Sequence, residues 1–386
     1  MRMSNAITTL VGEEQEGSNT YIQTLAAPNG SLYGLGSSRV AKFNPIDTSM
    51  TLIGPHLVDP DNWCKGAMTV SGIIYCPPYN SYNSRRRGII KIDTNTDTVT
   101  ELNANLLPER GDHMWESCAL ALDGCIYCMP SNARRIMKLD PNNGDAITSV
   151  GDDLGSTQYK YIETVVGIDG CVYGIPLDFE IVEILKYDTI NDITFFAGEE
   201  SGEYWECNNG AVERDGFIYV LITNCQVLKI DTTNNSHGFV VTIQPGYGKA
   251  HAWGDAILGI DGCIYWPPME DAGRTLKYDP HSDQISLVGD DFGRNKCKWI
   301  GGALALDGVI YCIPQDENQI LAIDPLGEFL ETTKADMEDR REEFGSLFQI
   351  IPGASGGVLY YPPKQTLIMQ SSSLDRKKCL KYWKKL

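Results

Sequence analysis

The stretch GDDFGRNKCKWIGGALALDGVIYCIP, which runs from Gly289 to Pro314, has a counterpart in GDDLGSTQYKYIETVVGIDGCVYGIP, from Gly151 to Pro176. The two share an acidic turn, an aromatic residue ten positions after the first glycine, an Asp-Gly pair and an Ile-Pro ending. In both, an aliphatic residue and a tyrosine follow shortly after a glycine. This short motif occurs eight times, at intervals of 42, 52, 46, 46, 46, 46 and 49 residues: Tyr33, Tyr75, Tyr127, Tyr173, Tyr219, Tyr265, Tyr311 and Tyr360. Four equal intervals in succession indicate an internal structural repeat.

Each repeat reads as four short strands, which we call A to D. In the sixth copy, WGDAILGI is strand A, and the Asp-Gly pair that follows suits a two-residue hairpin turn because it tolerates positive φ. CIYWPP, TLKYD and QISLVG then supply strands B, C and D, with a Pro-His-Ser-Asp turn before the last. Four-stranded units of about 40–50 residues are typical of β-propeller blades. The sequence therefore predicts an all-β propeller.

The two ends of the chain suggest how the ring closes. The eighth copy has strands A, B and C at 348–354, 358–362 and 366–370, but no strand D. The N-terminal segment AITTLVGEE resembles the strand D sequence AITSVGDD elsewhere. We expect eight blades, with Ile7–Val11 completing the last one; seven blades is the alternative, should one terminal copy be irregular. The expected domain is 6–370, followed by a basic tail at 371–386.

The blades resemble those of β-propeller repeat proteins, with the strand-turn-strand rhythm and Ile-Asp-Pro turns of the kelch-like and quinoprotein-like kinds. They lack the Gly-His and Trp-Asp signatures of WD40 blades, and the regular Gly-Gly with spaced Tyr and Trp of kelch blades. The resemblance implies a fold and no particular activity.

Composition narrows the class of protein. The chain has 386 residues and a formal net charge of −19, which disfavours nucleic acid as a partner. No window approaches the roughly 18 apolar residues of a membrane helix, and no secretory signal is visible. With 12 cysteines in so long a chain, we expect reduced thiols and an intracellular, cytoplasmic protein.

Several recurring residues have a structural explanation. The Asp-Gly and Asp-Pro aspartates fall at turns, and the anchor tyrosines and their aliphatic neighbours suit a core between blades. Cys125 and Cys128 form a CxxC pair, but residues three apart on a strand face opposite ways. The cysteines are therefore interpreted as small buried hydrophobes, and no metal site or cofactor is predicted.

The entry of strand A predicts a ring at the channel mouth. Twelve residues before each anchor, seven of eight positions are aromatic: Tyr21, Trp63, Trp115, Tyr161, Cys207, Trp253, Trp299 and Phe348. Two residues later the positions are mostly polar and differ in every blade: Gln23, Lys65, Ser117, Glu163, Asn209, Asp255, Gly301 and Ile350. His113 and His251 lie two residues before the aromatic position in their blades.

Two interpretations of this ring at the entry of strand A stay open. The first is a concave ligand site, with an aromatic collar (Trp63, Trp115, Tyr161, Trp253, Trp299) and polar groups from Lys65, Glu163, Asp255, His113 and His251. The second is that the aromatics wedge between blades and the polar groups face channel water. The acidic loops such as Gly-Asp-Asp-Leu-Gly could bind Ca²⁺, although a solvated acidic rim is favoured because EF-hand spacing is missing.

Two further segments are candidates for partner binding. The B–C loop of the second blade carries Tyr79, Tyr82, Arg85, Arg86 and Arg87 on an otherwise acidic protein. The tail carries six Lys/Arg and Trp383, which suits docking to an acidic surface. We favour a non-catalytic binding or scaffold propeller that engages a protein partner or small ligand on the D–A and B–C loop face. The alternatives are a hydrolase or lyase with its active site at the channel mouth, and a structural subunit of a larger assembly.

Overall fold

The computed structural model describes residues 6–14, 21–36, 38–57, 63–78, 88–177, 183–197, 207–222, 226–234, 237–242, 252–294, 297–327, 349–350 and 359–360. Within these residues the strands form seven four-stranded antiparallel sheets, each with its strands hydrogen-bonded in the order A-B-C-D. The A strands of neighbouring blades pack on one another around the centre. The protein is a seven-bladed β-propeller.

The blades follow one another along the chain. Blade 1 comprises Gln23–Ala26, Leu32–Leu35, Val40–Asn44 and Ser49–Ile53; blade 2 comprises Ala67–Met68, Ile73–Cys76, Ile90–Asp93 and Thr98–Glu101; blade 3 comprises Trp115–Leu120, Ile126–Pro130, Ile136–Asp140 and Ala146–Val150; blade 4 comprises Tyr161–Val166, Val172–Pro176, Ile184–Asp188 and Ile193–Ala197. Blade 5 comprises Cys207–Arg214, Phe217–Ile222, Gln226–Asp231 and His237–Thr242; blade 6 comprises Ile257–Leu258, Ile264–Trp266, Thr275–Asp279 and Gln284–Val288; blade 7 comprises Ala303–Leu304, Ile310–Cys312, Ile320–Asp324 and Ile7–Val11.

The ring closes one blade earlier than we expected. Ile7–Val11 does supply an outer strand D, but it pairs with strand C of blade 7, Ile320–Asp324, rather than with the eighth copy. Blade 7 then packs directly against blade 1: the Ile313 amide donates to Thr24 Oγ1 at 3.2 Å. The ring centroids of Phe43 and Tyr311 lie 5.2 Å apart across the same junction. The prediction of eight blades is therefore wrong, and the alternative of seven is confirmed.

The eighth copy retains the local strand pattern without a place in the ring. Its described strands, Gln349–Ile350 and Leu359–Tyr360, pair with each other as a short hairpin. A strand pattern reports on local backbone preference, whereas the number of blades depends on how blades 7 and 1 meet. The same local motif at Tyr360 therefore could not reveal which copies join the ring.

The repeated aspartates serve turns, as predicted. Asp261 Oδ1 accepts the Cys263 amide at 3.1 Å, and Gly262 adopts a φ of +77° that favours glycine. The other carboxylate oxygen accepts the Tyr265 hydroxyl at 2.8 Å and the Lys277 ammonium at 2.8 Å. The anchor tyrosine is thus fixed at both ends, by core packing of its ring and by hydrogen bonding of its hydroxyl.

Most of the described cysteines behave as buried hydrophobes, but one pair differs. Cys76, Cys263 and Cys312 are buried and form no disulfide, and burial raises the pKa of each thiol. Cys118 and Cys128 lie directly opposite each other on strands A and B of blade 3, with Cα atoms 4.1 Å apart, and form a disulfide. The expectation that all thiols stay reduced is wrong for this pair.

No helix in the described part of the chain is long and apolar enough to cross a membrane.

Candidate functional site

The aromatic residues at the entry of strand A are internal wedges. Trp63, Trp115, Tyr161, Trp253 and Trp299 are at most 4% exposed. Each indole N–H donates to a backbone carbonyl at or just before strand C of its own blade, at 2.9–3.3 Å: Trp63 to Gly88, Trp115 to Arg135, Trp253 to Arg274 and Trp299 to Gln319. The rings therefore tie strand A to strand C and offer no face to the channel. Of the two interpretations left open by the sequence, this burial favours the one in which the aromatics are packing elements.

A sequence signal for this packing was present. Gly34 and Gly174 follow the anchor tyrosine in the two blades that carry Tyr21 and Tyr161 at the ring position. A Cβ at Gly34 would lie 3.1 Å from the Tyr21 ring, and one at Gly174 would lie 3.0 Å from the Tyr161 ring. The glycines make room for rings that point inward, so the pairing of Tyr with Gly indicates a buried contact.

Three of the predicted polar residues converge across the channel. The Lys65 ammonium of blade 2 contacts Glu163 Oε2 of blade 4 at 2.9 Å and Asp255 Oδ1 of blade 6 at 2.7 Å. The side chains of Lys65, Glu163 and Asp255 are 17%, 3% and 14% exposed. One cation and two carboxylates thus meet in a largely desolvated place that is still reached by solvent through Lys65 and Asp255.

The charges in this cluster depend on one another. Burial alone would lower the pKa of Lys65, but the charges and hydrogen bonds of Asp255 and Glu163 outweigh it and raise that pKa well above its usual range. Burial raises the pKa of Glu163, the nearby Asp255 charge adds to the rise, and Lys65 opposes it. Lys65 is therefore protonated at neutral pH, and its charge is what makes two buried carboxylates tolerable.

The remaining ring residues link neighbouring blades. The Gln23 amide nitrogen donates to Gly66 O at 3.1 Å and its oxygen accepts the Gly66 amide at 2.7 Å, which joins blades 1 and 2. Ser117 Oγ donates to Thr164 Oγ1 at 2.9 Å, between blades 3 and 4. Asp255 Oδ1 also accepts the Gly210 amide of blade 5 at 2.8 Å. These three contacts between neighbouring blades use different polar groups, which accounts for the variation among Gln23, Ser117 and Asp255.

A histidine–carboxylate pair lies beside the cluster. His113 Nδ1 is 2.8 Å from Glu116 Oε1, and the Lys65 amide donates to Glu116 O at 3.1 Å. His113 has a φ of +53° and meets Tyr159 edge-on at 5.2 Å between centroids, so its ring is held in one orientation. The hydrogen bond to Glu116 raises the pKa of His113, although burial opposes the rise. Sequence reasoning found His113 but missed Glu116, three residues later.

Two buried lysines were also missed. Lys160 and Lys298 are 1% and 0% exposed, and each immediately precedes the aromatic residue of the two related stretches. Their ammonium groups donate to backbone carbonyls, Lys160 to Thr157 O at 2.6 Å and Lys298 to Glu270 O at 3.0 Å. Burial lowers the pKa of both, to about 8 for Lys160. The shared Lys-aromatic dipeptide was the available signal.

Several predicted residues lie outside the described part of the chain. These are His251, the loop residues Tyr79, Tyr82, Arg85, Arg86 and Arg87, and the tail 371–386. Where the acidic loops are described, their aspartates serve the turns: Asp153 Oδ1 accepts the Gly155 amide at 2.9 Å and Asp291 Oδ1 accepts the Gly293 amide at 3.0 Å. The described residues contain no group of three or more His, Cys, Asp or Glu side chains placed to hold a metal ion.

Comparison with known proteins supports the fold. No family model matches the sequence, and no curated protein matches it. A streptogramin B lyase structure is similar with a TM-score of 0.62 and 12% identity, covering 84% of this chain and 99% of that one. Kuenenia stuttgartiensis hydrazine synthase is similar with a TM-score of 0.60 and 12% identity, over 81% and 97% of the two chains.

An extracellular domain of a putative hybrid two-component system of B. thetaiotaomicron is similar with a TM-score of 0.58 and 10% identity, over 82% and 42% of the two chains. These neighbours include a lyase, another enzyme and part of a signalling protein. At such low identity the likeness defines the class of protein, a β-propeller, and carries no activity.

Proposed function

We propose that the protein is a non-catalytic binding propeller that holds a protein partner or small ligand on the loop-rich face around its central channel. The observation that carries the proposal is the meeting of Lys65, Glu163 and Asp255 from three different blades at one partly exposed point. Convergent polar groups at the mouth of a cavity are typical of ligand sites. Lys65 and Asp255 are the groups that a ligand would reach, and Glu163 lies behind them.

The charge of this site favours a ligand with a positive or hydrogen-bond-donating group. Glu163 and Asp255 supply two carboxyl groups for the single Lys65 ammonium, and the chain as a whole has a net charge of −19. An anion would meet repulsion from both sources, whereas an amine or guanidinium would share the carboxylates with Lys65. An acidic rim around the mouth would also raise the association rate of such a ligand.

The proposal is tested by a thermal-shift screen of small amines, guanidines, dicarboxylates and basic peptides against the intact protein. We expect stabilising compounds among the amines, guanidines and basic peptides, with the stabilisation lost in Asp255→Asn. Ser117→Ala is the matched control, because it removes a ring polar group that does not contact the ion cluster, and it should leave the stabilisation unchanged. Stabilisation by dicarboxylates alone, or equal shifts in Asp255→Asn, would contradict the proposal.

An enzyme, such as a hydrolase or lyase, is the second candidate. It is favoured by the His113–Glu116 pair, in which a carboxylate orients an imidazole and the Glu116 backbone carbonyl accepts the Lys65 amide. The similar streptogramin B lyase shares the fold. Turnover by this protein that is lost in Glu116→Gln would favour this candidate.

Four further expectations stay predictions: an intracellular location, the absence of a cofactor, partner binding by the second-blade loop, and docking of the tail.

A further inference from the structure

The outer strand of blade 4 differs from the outer strands of five other blades. In five blades, strand D places a small polar residue opposite the residue two positions before the end of strand C: Thr9, Thr51, Thr100, Thr148 and Ser286. In blade 4 this position is Phe195, opposite Lys186, and the next residue is Phe196. The strand reads Ile-Thr-Phe-Phe-Ala where blade 3 reads Ala-Ile-Thr-Ser-Val.

These aromatic side chains are exposed. Phe195 is 46% exposed, Phe196 is 55% exposed, and Ile190 in the preceding turn is 90% exposed. Blades with threonine or serine at the position of Phe195 form the same four-stranded sheet, so folding of the blade does not require a large apolar residue there. A cluster of exposed apolar side chains that folding does not require indicates a binding surface.

The backbone of the strand is also available on one side. Ile193–Ala197 pairs with Ile184–Asp188 of its own blade, and no further strand pairs with its outer edge in the part of the chain that the structure describes. An edge strand presents a row of N–H and C=O groups that can pair with another extended chain. Peptide recognition by strand addition draws affinity from these groups and specificity from the side chains on alternate faces.

The charge around the strand selects among the chains that could pair with it. Asp188 and Asp192 lie in the turn that begins the strand, and hydrogen bonds lower the pKa of both, so both are ionised at neutral pH. Asp152 accepts a hydrogen bond from Thr194. The Lys186 ammonium is engaged by Asp169 at 2.7 Å. Lys138, which pairs with Asp123 at 3.2 Å, and Arg135 are the cations near Asp192. A second copy of the chain would bring the same acidic surface, whereas a basic segment would be attracted.

We propose that the outer edge of blade 4 binds an extended segment of a partner protein, in which alternate apolar residues are flanked by lysine or arginine. The segment adds to Ile193–Ala197 as a fifth strand, with its apolar side chains on the face that carries Ile193 and Phe195, its other face beside Phe196, and one basic end near Asp188 and Asp192. This surface lies on the rim of the propeller and does not depend on the proposed ligand site in the channel.

The test uses a labelled probe peptide, acetyl-Lys-Lys-Val-Thr-Val-Thr-Val-Lys-Lys-amide, and fluorescence anisotropy with the full chain. We expect saturable binding that weakens at least tenfold in the double variant Phe195→Thr/Phe196→Ser. That variant gives blade 4 the residues of blade 3, so it should fold, which circular dichroism checks. Leu52→Ser on the outer strand of blade 1 is the matched control, because Leu52 is similarly exposed at 44%, and it should leave binding unchanged.

Each other outcome overturns the proposal. No binding, or equal binding by the double variant, would show that the peptide does not bind at blade 4. Equal binding of a peptide with glutamate ends would show that the acidic surface does not select basic segments. Equal binding of a peptide with an N-methylated backbone would show that the peptide does not pair with the strand through backbone hydrogen bonds. A dimer in light scattering that the double variant dissociates would identify a second copy as the occupant instead.

Discussion

The ammonium of Lys65 lies 2.7 Å from a carboxylate oxygen of Asp255, although the two residues are 190 positions apart in the chain. They come from blades 2 and 6, on different sides of the channel, and Glu163 of blade 4 joins them. An ion pair between blades that are not neighbours acts on the ring as a whole. Its contribution to stability can be separated from its proposed part in ligand binding.

Replacement of Lys65 by methionine should destabilise the protein strongly. The change leaves the buried carboxylates of Glu163 and Asp255 without their cation, and removal of one partner of a buried ion pair costs about 3–5 kcal/mol. The free energy of unfolding from urea titration at pH 7 measures the loss. Adding Glu163→Gln to Lys65→Met should recover part of it, since one of the two like charges disappears. Equal stability of the single and double variants would show that the carboxylates do not interact.

The buried indole of Trp253 should matter for stability. Trp253→Phe removes the hydrogen bond to Arg274 O and should cost about 1 kcal/mol or more, while Trp253→Ala also leaves a cavity and should cost about 3–5 kcal/mol. Thermal unfolding distinguishes the two steps. Leu52→Ala, on an exposed edge, serves as the control and should change the melting temperature little. A small effect of Trp253→Ala would contradict the wedge role.

Tyr75 and Asp145 join blades 2 and 3 through a hydrogen bond of 2.6 Å. Blade 2 has Ser71 in its A–B turn where blade 3 has Asp123, so its anchor tyrosine takes a carboxylate from the next blade. Tyr75→Phe should cost about 1.5–3 kcal/mol, as expected for a hydrogen bond to a charged group. A double-mutant cycle with Asp145→Ala should give a coupling energy above about 0.5 kcal/mol.

The comparison of Ser71 in blade 2 with Asp123 in blade 3 suggests a second substitution that restores stability to Asp145→Ala. Ser71→Asp places a carboxylate where blade 3 has Asp123, so it should restore part of the stability that Asp145→Ala removes. Urea titrations of Asp145→Ala, Ser71→Asp and the double variant give the free energies of unfolding that test this. Strict additivity of the two substitutions would mean that the turn residue and the neighbouring-blade residue do not share the tyrosine.

Lys160 predicts a rise in stability at alkaline pH. Burial lowers its pKa to about 8 in the folded protein from the ordinary 10.5, so between these values the unfolded chain binds more protons than the folded one. The free energy of unfolding should therefore increase as pH rises from 8 to about 10.5, as far as Lys160 contributes to it. Comparison of urea titrations at pH 7.5 and 9.5 measures the increase.

Two variants isolate this contribution. Lys160→Met removes the buried charge and should stabilise the protein at pH 7 by roughly 1–3 kcal/mol, with the pH-dependent increase reduced. Lys160→Arg keeps a group that stays protonated in this range, so it should lack the increase without the gain at pH 7. The same pH dependence in wild type and both variants would assign it to other groups.

Most of the fold and part of the candidate site could be predicted from the sequence, and individual residues show why. Asp261-Gly262 and Tyr265 each report on their own hairpin, so the blades could be predicted from local pattern. The position of Lys65, Glu163 and Asp255 near the start of strand A was also predictable from the repeat. Their contact was not, because it depends on how seven blades place strands around a channel. The number of blades was missed for the same reason, since Tyr360 carries the local motif without joining the ring.

Closure of the last blade by Ile7–Val11 has a consequence for synthesis of the protein. The hydrogen bond from Gln319 to Gly12 joins residues 307 positions apart, so Ile7–Val11 can pair with its partner strand only after the chain between them has been synthesised. At about 5–20 residues per second, that interval is on the order of 15–60 s. During this time Ile7–Val11 would lack its native partner strand in blade 7 and would be accessible to chaperones.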